Sequence, residues 1–229
     1  MLVPALDLRC YMITGYGSDA DIIATARSAA HGGAGVIQVR SKPIDAGHLL
    51  ELSEKIAVAV ADINPQTRVL IDDRVDIVAI LMRRGIPVHG VHVGQSDIPV
   101  TAVRELLGPE VIIGLTTGTA ELVTQANEHA DIIDYIGAGP FRPTPTKDSG
   151  RPPIGLEGYP QLVKLSRLPM VAIGDVQPSD VKALAGTGID GVAMVRAFSE
   201  AHNQGSEQVK SLAGQIIADF DAGRAGVCA

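Results

Sequence analysis

Short apolar runs alternate with amphipathic stretches along almost the whole chain, and this alternation is its strongest structural signal. Eight runs read as strands: Cys10 to Thr14, Val36 to Arg40, Val69 to Asp72, Gly90 to Val93, Val111 to Thr116, Ile132 to Gly137, Met170 to Gly174 and Gly191 to Arg196. Helical spacing marks the intervals: Ala20 to His31, Ala46 to Asp62, Val75 to Arg84, Val100 to Leu107, Ala120 to Glu128, Leu156 to Leu165 and Pro178 to Ala185, with Glu207 to Phe220 closing the series. Strand and helix in alternation make a parallel sheet, because a parallel partner is reached only through a crossover, and eight repeats close into a (β/α)8 barrel. Glycines at 32–33, 85, 108, 186 and 188 follow helical stretches, where C-terminal caps belong. A doubly wound open sheet is the alternative that the pattern leaves open. No linker divides the chain, so a single TIM-barrel domain is expected over 1–220, with the small and polar residues 221–229 as a frayed tail.

Composition fits that architecture. The chain has 229 residues, 46% of them hydrophobic but only 3% aromatic, and no Trp. The core is therefore built from Val, Ile, Leu and Ala, as suits strands covered by helices. A formal net charge of -7 argues against nucleic acid and against a membrane surface as partners, since both call for a basic stripe. Small phosphorylated molecules remain, held by a local concentration of cations, and a homodimer is left open. Two cysteines, Cys10 and Cys228, lack metal-ligand spacing and point to a reducing, cytoplasmic location. Neither a signal peptide nor a membrane span is visible in the sequence.

A barrel puts its chemistry at the C-terminal ends of its strands. Gln38 and Arg40 are two apart on the second strand and share a side, with Lys42 just beyond. Their costly burial implies either an internal ion pair or a bound partner. The third strand ends at Asp72 and Asp73, and the fourth leads to His92, Gln95 and Asp97. Asp73 and Asp97 each precede a helix and could cap it. Facing Arg40 and Lys42 together, they suit a hard cation such as Mg2+ that keeps water and phosphate oxygens as its other ligands. His92 reads as a histidine hydrogen-bonded in place. The fifth strand presents Thr116 and Thr117, with Thr119 as an N-cap, and Gly174, Asp175 and Arg196 end the last two strands. After the sixth strand, Tyr135 to Gly150 packs Thr144, Thr146 and Lys147 among prolines, a stiff set of donors for an anion. The loop over 141–153 has the make-up of a lid with Gly150 as hinge.

With these residues in place, the chain resembles the thiamine phosphate synthase family from CYMIT at its start to AMVRAF near its end. The carriers are QVRSK (Gln38 to Lys42), DDRVD (Asp72 to Asp76), GVHVGQSD (Gly90 to Asp97), GPFRPTPTK (Gly139 to Lys147) and AIG (Ala172 to Gly174). The resemblance implies coupling of an aminomethylpyrimidine diphosphate to a thiazole phosphate, giving thiamine phosphate and pyrophosphate through a pyrimidine methylene cation. It implies that Gln38, Arg40 and Lys42 lie near the pyrimidine diphosphate, with Asp72 beside them, and that Asp73 and Asp97 hold Mg2+. Thr116 takes a hydroxyl position near the diphosphate that is usually Ser. Thr144 and Thr146 match contacts to the thiazole phosphate, Lys147 matches a contact to the diphosphate, and Gly174, Val195 and Arg196 fall at the thiazole-phosphate end. Arg40, Lys42 and Lys147 are the expected catalytic cations.

Three positions depart from the family pattern: Asp72 stands where Asn is common, Asp175 where Gly is usual and Arg196 where Ser is usual. Asp175 and Arg196 end adjacent strands, so they are expected to pair, or Arg196 to offset the acid and grip the phosphate itself. A thiazole tautomerase-like barrel and a catalytically silent barrel that binds thiamine precursors are the competing readings. Combined retention of Arg40, Lys42, Asp73, Asp97 and Lys147 favours the synthase.

Overall fold

The computed structural model describes residues 6–143 and 150–226. Eight parallel strands close on themselves: β1 (Cys10–Ile13), β2 (Val36–Val39), β3 (Arg68–Asp72), β4 (Gly90–Val93), β5 (Ile112–Thr117), β6 (Tyr135–Ala138), β7 (Met170–Ala172) and β8 (Gly191–Met194). Each pairs with its neighbours in sequence, and β8 returns to β1 with Cys10 opposite Val192 and Met12 opposite Met194. That seam excludes the open sheet. Around the strands lie α1 (Asp19–His31), α2 (Ala46–Ala61), α3 (Val75–Arg83), α4 (Val100–Leu107), α5 (Ala120–Asn127), α6 (Gly155–Leu165), α7 (Val181–Ala185), α8 (Arg196–His202) and α9 (Ser206–Ala225).

Strand side chains point alternately outward and inward. The outward set, including Ile37, Val39, Val69, Ile71, Val91, Val93 and Ile113, packs against helix residues such as Leu52, Ile56, Val78 and Leu81 in one continuous shell. A smaller inner cluster fills the barrel with Leu8, Tyr11, Ile13, Val36, Leu70, Tyr135, Val171 and Ala193. Local chemistry fixes the helix starts. Ser18 opens α1 by accepting from Asp21 N–H at 3.2 Å, and Thr119 caps α5 by accepting from Leu122 N–H at 3.3 Å.

Most boundaries agree to within one or two residues, and three differences are larger or change the element. β6 begins at Tyr135, since Ile132 belongs to the preceding turn, where its N–H donates to His129 O at 2.9 Å. The stretch from Pro178 divides into a 3-10 turn, Pro178–Asp180, and α7. Most consequentially, the barrel domain does not end at 220 with a frayed tail over 221–229, because α9 continues to Ala225. Asp221 accepts from Arg9 Nη1 at 2.8 Å, and Arg224 Nη2 donates to Ile189 O at 2.6 Å and to Asp190 at 2.8 Å. Residues 227–229 lie outside the described residues. Helix α8 is an addition, made by the residues that directly follow β8.

Candidate active site

The strand ends at one face of the barrel surround a cavity of about 660 Å³. Gln38, Arg40, Lys42, Asp72, Asp73, His92, Asp97, Thr116, Gly174, Val195 and Arg196 all line it, so the strand-end rule collects into one space residues up to 158 positions apart. Thr144, Thr146 and Lys147, with the middle of the lid over 141–153, lie outside the described residues.

One wall is an interlocked set of charges. Arg40 Nε is 3.4 Å and Lys42 Nζ 3.2 Å from Asp72 Oδ2, and Lys42 also forms a short ion pair with Asp73. Asp72 is buried at 9% exposure, and its pKa is raised by that burial and by the Asp73 charge against the opposing pull of Lys42 and Arg40. Burial pulls the Lys42 ammonium down, but hydrogen bonding to Asp73 and the Asp72 charge outweigh it and hold its pKa above the ordinary value. Asp72 therefore anchors the two cations.

Asp73 and Asp97 cap neither following helix: Arg74 and Pro99 hold the N-cap positions of α3 and α4. Asp73 takes left-handed backbone angles (φ 58°), its N–H donating to His92 O at 2.8 Å. Asp97 Oδ2 accepts from Gly94 N–H at 2.7 Å. Burial and the neighbouring Asp73 carboxylate raise the Asp97 pKa. Among the described residues no cluster of three or more His, Cys, Asp or Glu forms a metal cage. Two adjacent carboxylates that repel one another are nevertheless a donor set that fits Mg2+, which keeps most of its shell as water and phosphate oxygen.

Gln38 is 3% exposed, and its side-chain amide makes no hydrogen bond to a described residue although it borders the cavity. Bordering the cavity, that amide is placed to bind a ligand. His92 is held as a hydrogen-bonded strand histidine, between Tyr135 and Thr116 at 2.9 Å each.

Across the cavity, Asp175 and Arg196 form the short ion pair expected of adjacent strand ends, and Gln177 Nε2 donates to the same Asp175 oxygen at 2.8 Å. Asp175 also has left-handed backbone angles, φ 57°. Gly174, at φ 97°, packs so closely on Pro140 that a Cβ would lie 2.7 Å from its Cα. Arg142 fastens this corner from outside, with Nη1 donating to Asp175 O at 3.1 Å and both terminal nitrogens 2.6 Å from Asp180.

Arg151 is a cavity residue that sequence reasoning missed; its Nη1 donates to Thr117 O at 2.7 Å. Its position directly after the Thr/Pro/Lys loop was the available signal. Gln95 is drawn in as well, Nε2 donating to Thr116 O at 2.6 Å. The whole is a cleft with cations on both sides and an acidic pair at one rim, suited to a substrate carrying more than one phosphoryl group.

A family model described as thiamine monophosphate synthase matches residues 10–198. A thiamine-phosphate synthase of Corynebacterium efficiens is 59% identical over 221 residues, covering 96% of this chain and 99% of its own. One from Corynebacterium jeikeium is 56% identical over 216 residues, covering 94% and 96%. Among solved structures, thiamine phosphate pyrophosphorylase from Pyrococcus furiosus superposes with a TM-score of 0.74 at 26% identity, covering 93% of this chain and 98% of its own.

Proposed function

The chain belongs to the thiamine monophosphate synthase family, and from that premise we propose how its cavity performs the coupling. The activity is that of a thiamine-phosphate synthase, a transferase of thiamine biosynthesis acting on small phosphorylated substrates. It joins 4-amino-2-methyl-5-hydroxymethylpyrimidine diphosphate to 4-methyl-5-hydroxyethylthiazole phosphate.

In the proposed route the bond between the pyrimidine methylene carbon and the diphosphate oxygen breaks first, and its electron pair leaves with pyrophosphate. The thiazole nitrogen then donates its lone pair to the methylene cation. No proton has to move in either step, which accords with a cavity offering cations and hydrogen-bond donors but no base–nucleophile pair. Arg40 and Lys42 bind the diphosphate, and Gln38 orients the pyrimidine half. Lys147 is assigned to the same diphosphate and Thr144 and Thr146 to the thiazole phosphate, as the family resemblance implies. Arg196, with Gly174 and Val195, receives the thiazole-phosphate end. Asp73 and Asp97 would hold Mg2+, which when bound supplies neutralisation of the leaving diphosphate.

The observation that carries this reading is the meeting of Arg40 and Lys42 with Asp72, Asp73 and Asp97 on one rim of the cavity. A thiazole tautomerase has no use for such a rim. The test is a coupling assay with both phosphorylated halves in Mg2+ or in EDTA, with product measured as thiamine phosphate. Metal-dependent product is expected. Equal product in EDTA would remove the metal from the scheme, and no product from folded protein with verified substrates would overturn the site assignment.

No helix among the described residues is long and apolar enough to cross a membrane.

A further inference from the structure

The turn from Gly174 to Asp180, between β7 and α7, brings Asp175 to the cavity, and one side chain from the connection after β6 holds it at both ends. Arg142 donates from Nη1 to Asp175 O at 3.1 Å. The same guanidinium meets Asp180 as a fork, Nη1 to Oδ2 and Nη2 to Oδ1 at 2.6 Å each. Asp180 Oδ2 also accepts from Gln177 N–H at 2.9 Å, and Gln177 Nε2 donates to Asp175 Oδ1 at 2.8 Å. That last oxygen is the one paired with Arg196. Arg142 is itself fixed, since its backbone N–H donates to Gly174 O at 3.0 Å and its guanidinium lies 4.4 Å from the centre of the buried Phe141 ring.

The backbone explains why one residue makes so many bonds. Gly174 has φ 97° and Asp175 φ 57°, and a residue with a Cβ stays in that region only where its surroundings over-determine it. Gly174 O and Asp175 O belong to the two peptide planes that flank the Asp175 Cα. Arg142 holds both planes, so it sets both soft dihedrals of Asp175. Burial pushes the Asp180 carboxyl up, but its bonds to Arg142 and to Gln177 N–H outweigh that and keep its pKa below the ordinary carboxylate value. The fork is therefore a pair of full charges at neutral pH. Asp175 and Arg196 border the cavity, whereas Arg142, Gln177 and Asp180 are not among the described residues that line it. Whatever the fork does for a ligand must pass through Asp175.

We propose that Arg142 and Asp180 are positioning residues that lock the left-handed turn at Asp175 and, through Asp175, fix the place of Arg196 at this end of the cavity. On the function proposed above, which this assignment rests on, the anion received there is the thiazole phosphate. The brace keeps Asp175 turned to Arg196 and the guanidinium of Arg196 in one position before substrate arrives. A lysine at 142 would keep the charge but not the planar fork that meets a carboxylate with two parallel N–H bonds.

Steady-state kinetics on the full chain test the assignment. Arg142→Ala should raise KM for the thiazole phosphate roughly ten-fold, the scale of one hydrogen bond to a charged group, and leave KM for the pyrimidine diphosphate unchanged. An unchanged KM for the thiazole phosphate would overturn the proposal, and so would a rise shared by both substrates, the pattern of a loosened fold. Arg142→Lys should resemble Arg142→Ala, and full retention of KM would overturn the role of the fork. In an Asp175→Gly background, where the left-handed angles are free of strain and no carboxylate needs placing, Arg142→Ala should cost nothing further. An equal loss there would overturn action through Asp175. One reading is independent of substrate: the Arg196 Nε–H resonance in 15N NMR, assigned by the signal lost in Arg196→Ala, should shift in Arg142→Ala. A resonance that stays in place would overturn the brace whatever the site binds. If it shifts while calorimetry shows no binding of the thiazole phosphate to the unaltered chain, it is the proposed function that falls.

Discussion

Asp175 pays twice for its place, in a left-handed backbone that costs a non-glycine residue roughly 1–3 kcal/mol and in a carboxylate at the end of the cavity proposed for the thiazole phosphate. Arg196 is what makes the second cost tolerable. Arg196→Ala should therefore raise KM for the thiazole phosphate and leave KM for the pyrimidine diphosphate near its original value, as read by steady-state kinetics with each substrate varied in turn. Combining it with Asp175→Gly, which removes both the strain and the acid, should restore part of the loss. On the proposed function Asp97 presents the opposite balance, a carboxylate placed for a metal at the expense of stability. Its folded pKa and that of Asp72 are raised above the ordinary carboxylate value, so the folded state binds more protons than the unfolded one between that value and the raised ones. The sign follows by linkage: these two groups weaken the fold at neutral pH, and the penalty is relieved as pH falls through their raised values. Asp97→Asn should raise the thermal midpoint at pH 7, with the gain shrinking on acidification. The same change should lower Mg2+-dependent coupling by roughly 100-fold, the loss of a few kcal/mol of charge stabilisation.

At the scale of elements, the repeating apolar runs were enough to locate every strand, because in a two-layered barrel burial repeats with each βα unit. Helix α8 was hidden. Only Val195 separates its seven residues from β8, and Ala197 and Phe198 extend the apolar character of the strand. The strand-end rule likewise collected Arg40, Asp73, Asp97 and Arg196, yet it could say nothing of Tyr135. Within the apolar run from Ile132 to Gly137 that tyrosine carries no functional mark until the register sets it opposite Gly114. Pairing between distant strands is long-range information that a local pattern lacks. Arg151 was missed for a similar reason, since its role depends on reaching back to Thr117 O. The Tyr135–Gly114 fit is itself testable. Gly114→Ala should destabilise the protein by about 1–3 kcal/mol through overpacking, measured by urea unfolding, and should perturb the His92 resonances.

For the whole molecule, α9 is a clasp. It packs on α1 and α7, and a Cβ on Gly32 or Gly223 would strike Lys210 O or Lys182 O, so backbone meets backbone where the barrel closes. Truncation after Phe220 removes Asp221, Gly223 and Arg224 from that contact. None of them lines the cavity, so the thermal midpoint should fall, by about 2–4 °C per kcal/mol lost, while kcat is retained.

The seam between β1 and β8 has a kinetic meaning too. Ile13 comes from the first strand and Met194 to Arg196 from the end of the last and the residues just after it, and both border the same cavity. On the ribosome, Arg40, Asp73 and Asp97 emerge early, while the opposite wall waits until almost the entire polypeptide has been made. Until then β1 is an open edge, and the half-built rim has no second side against which to close. Ligands can thus reward only the finished ring: they leave nascent chains to their own risk of edge-to-edge association and favour the protein once the last strand has docked.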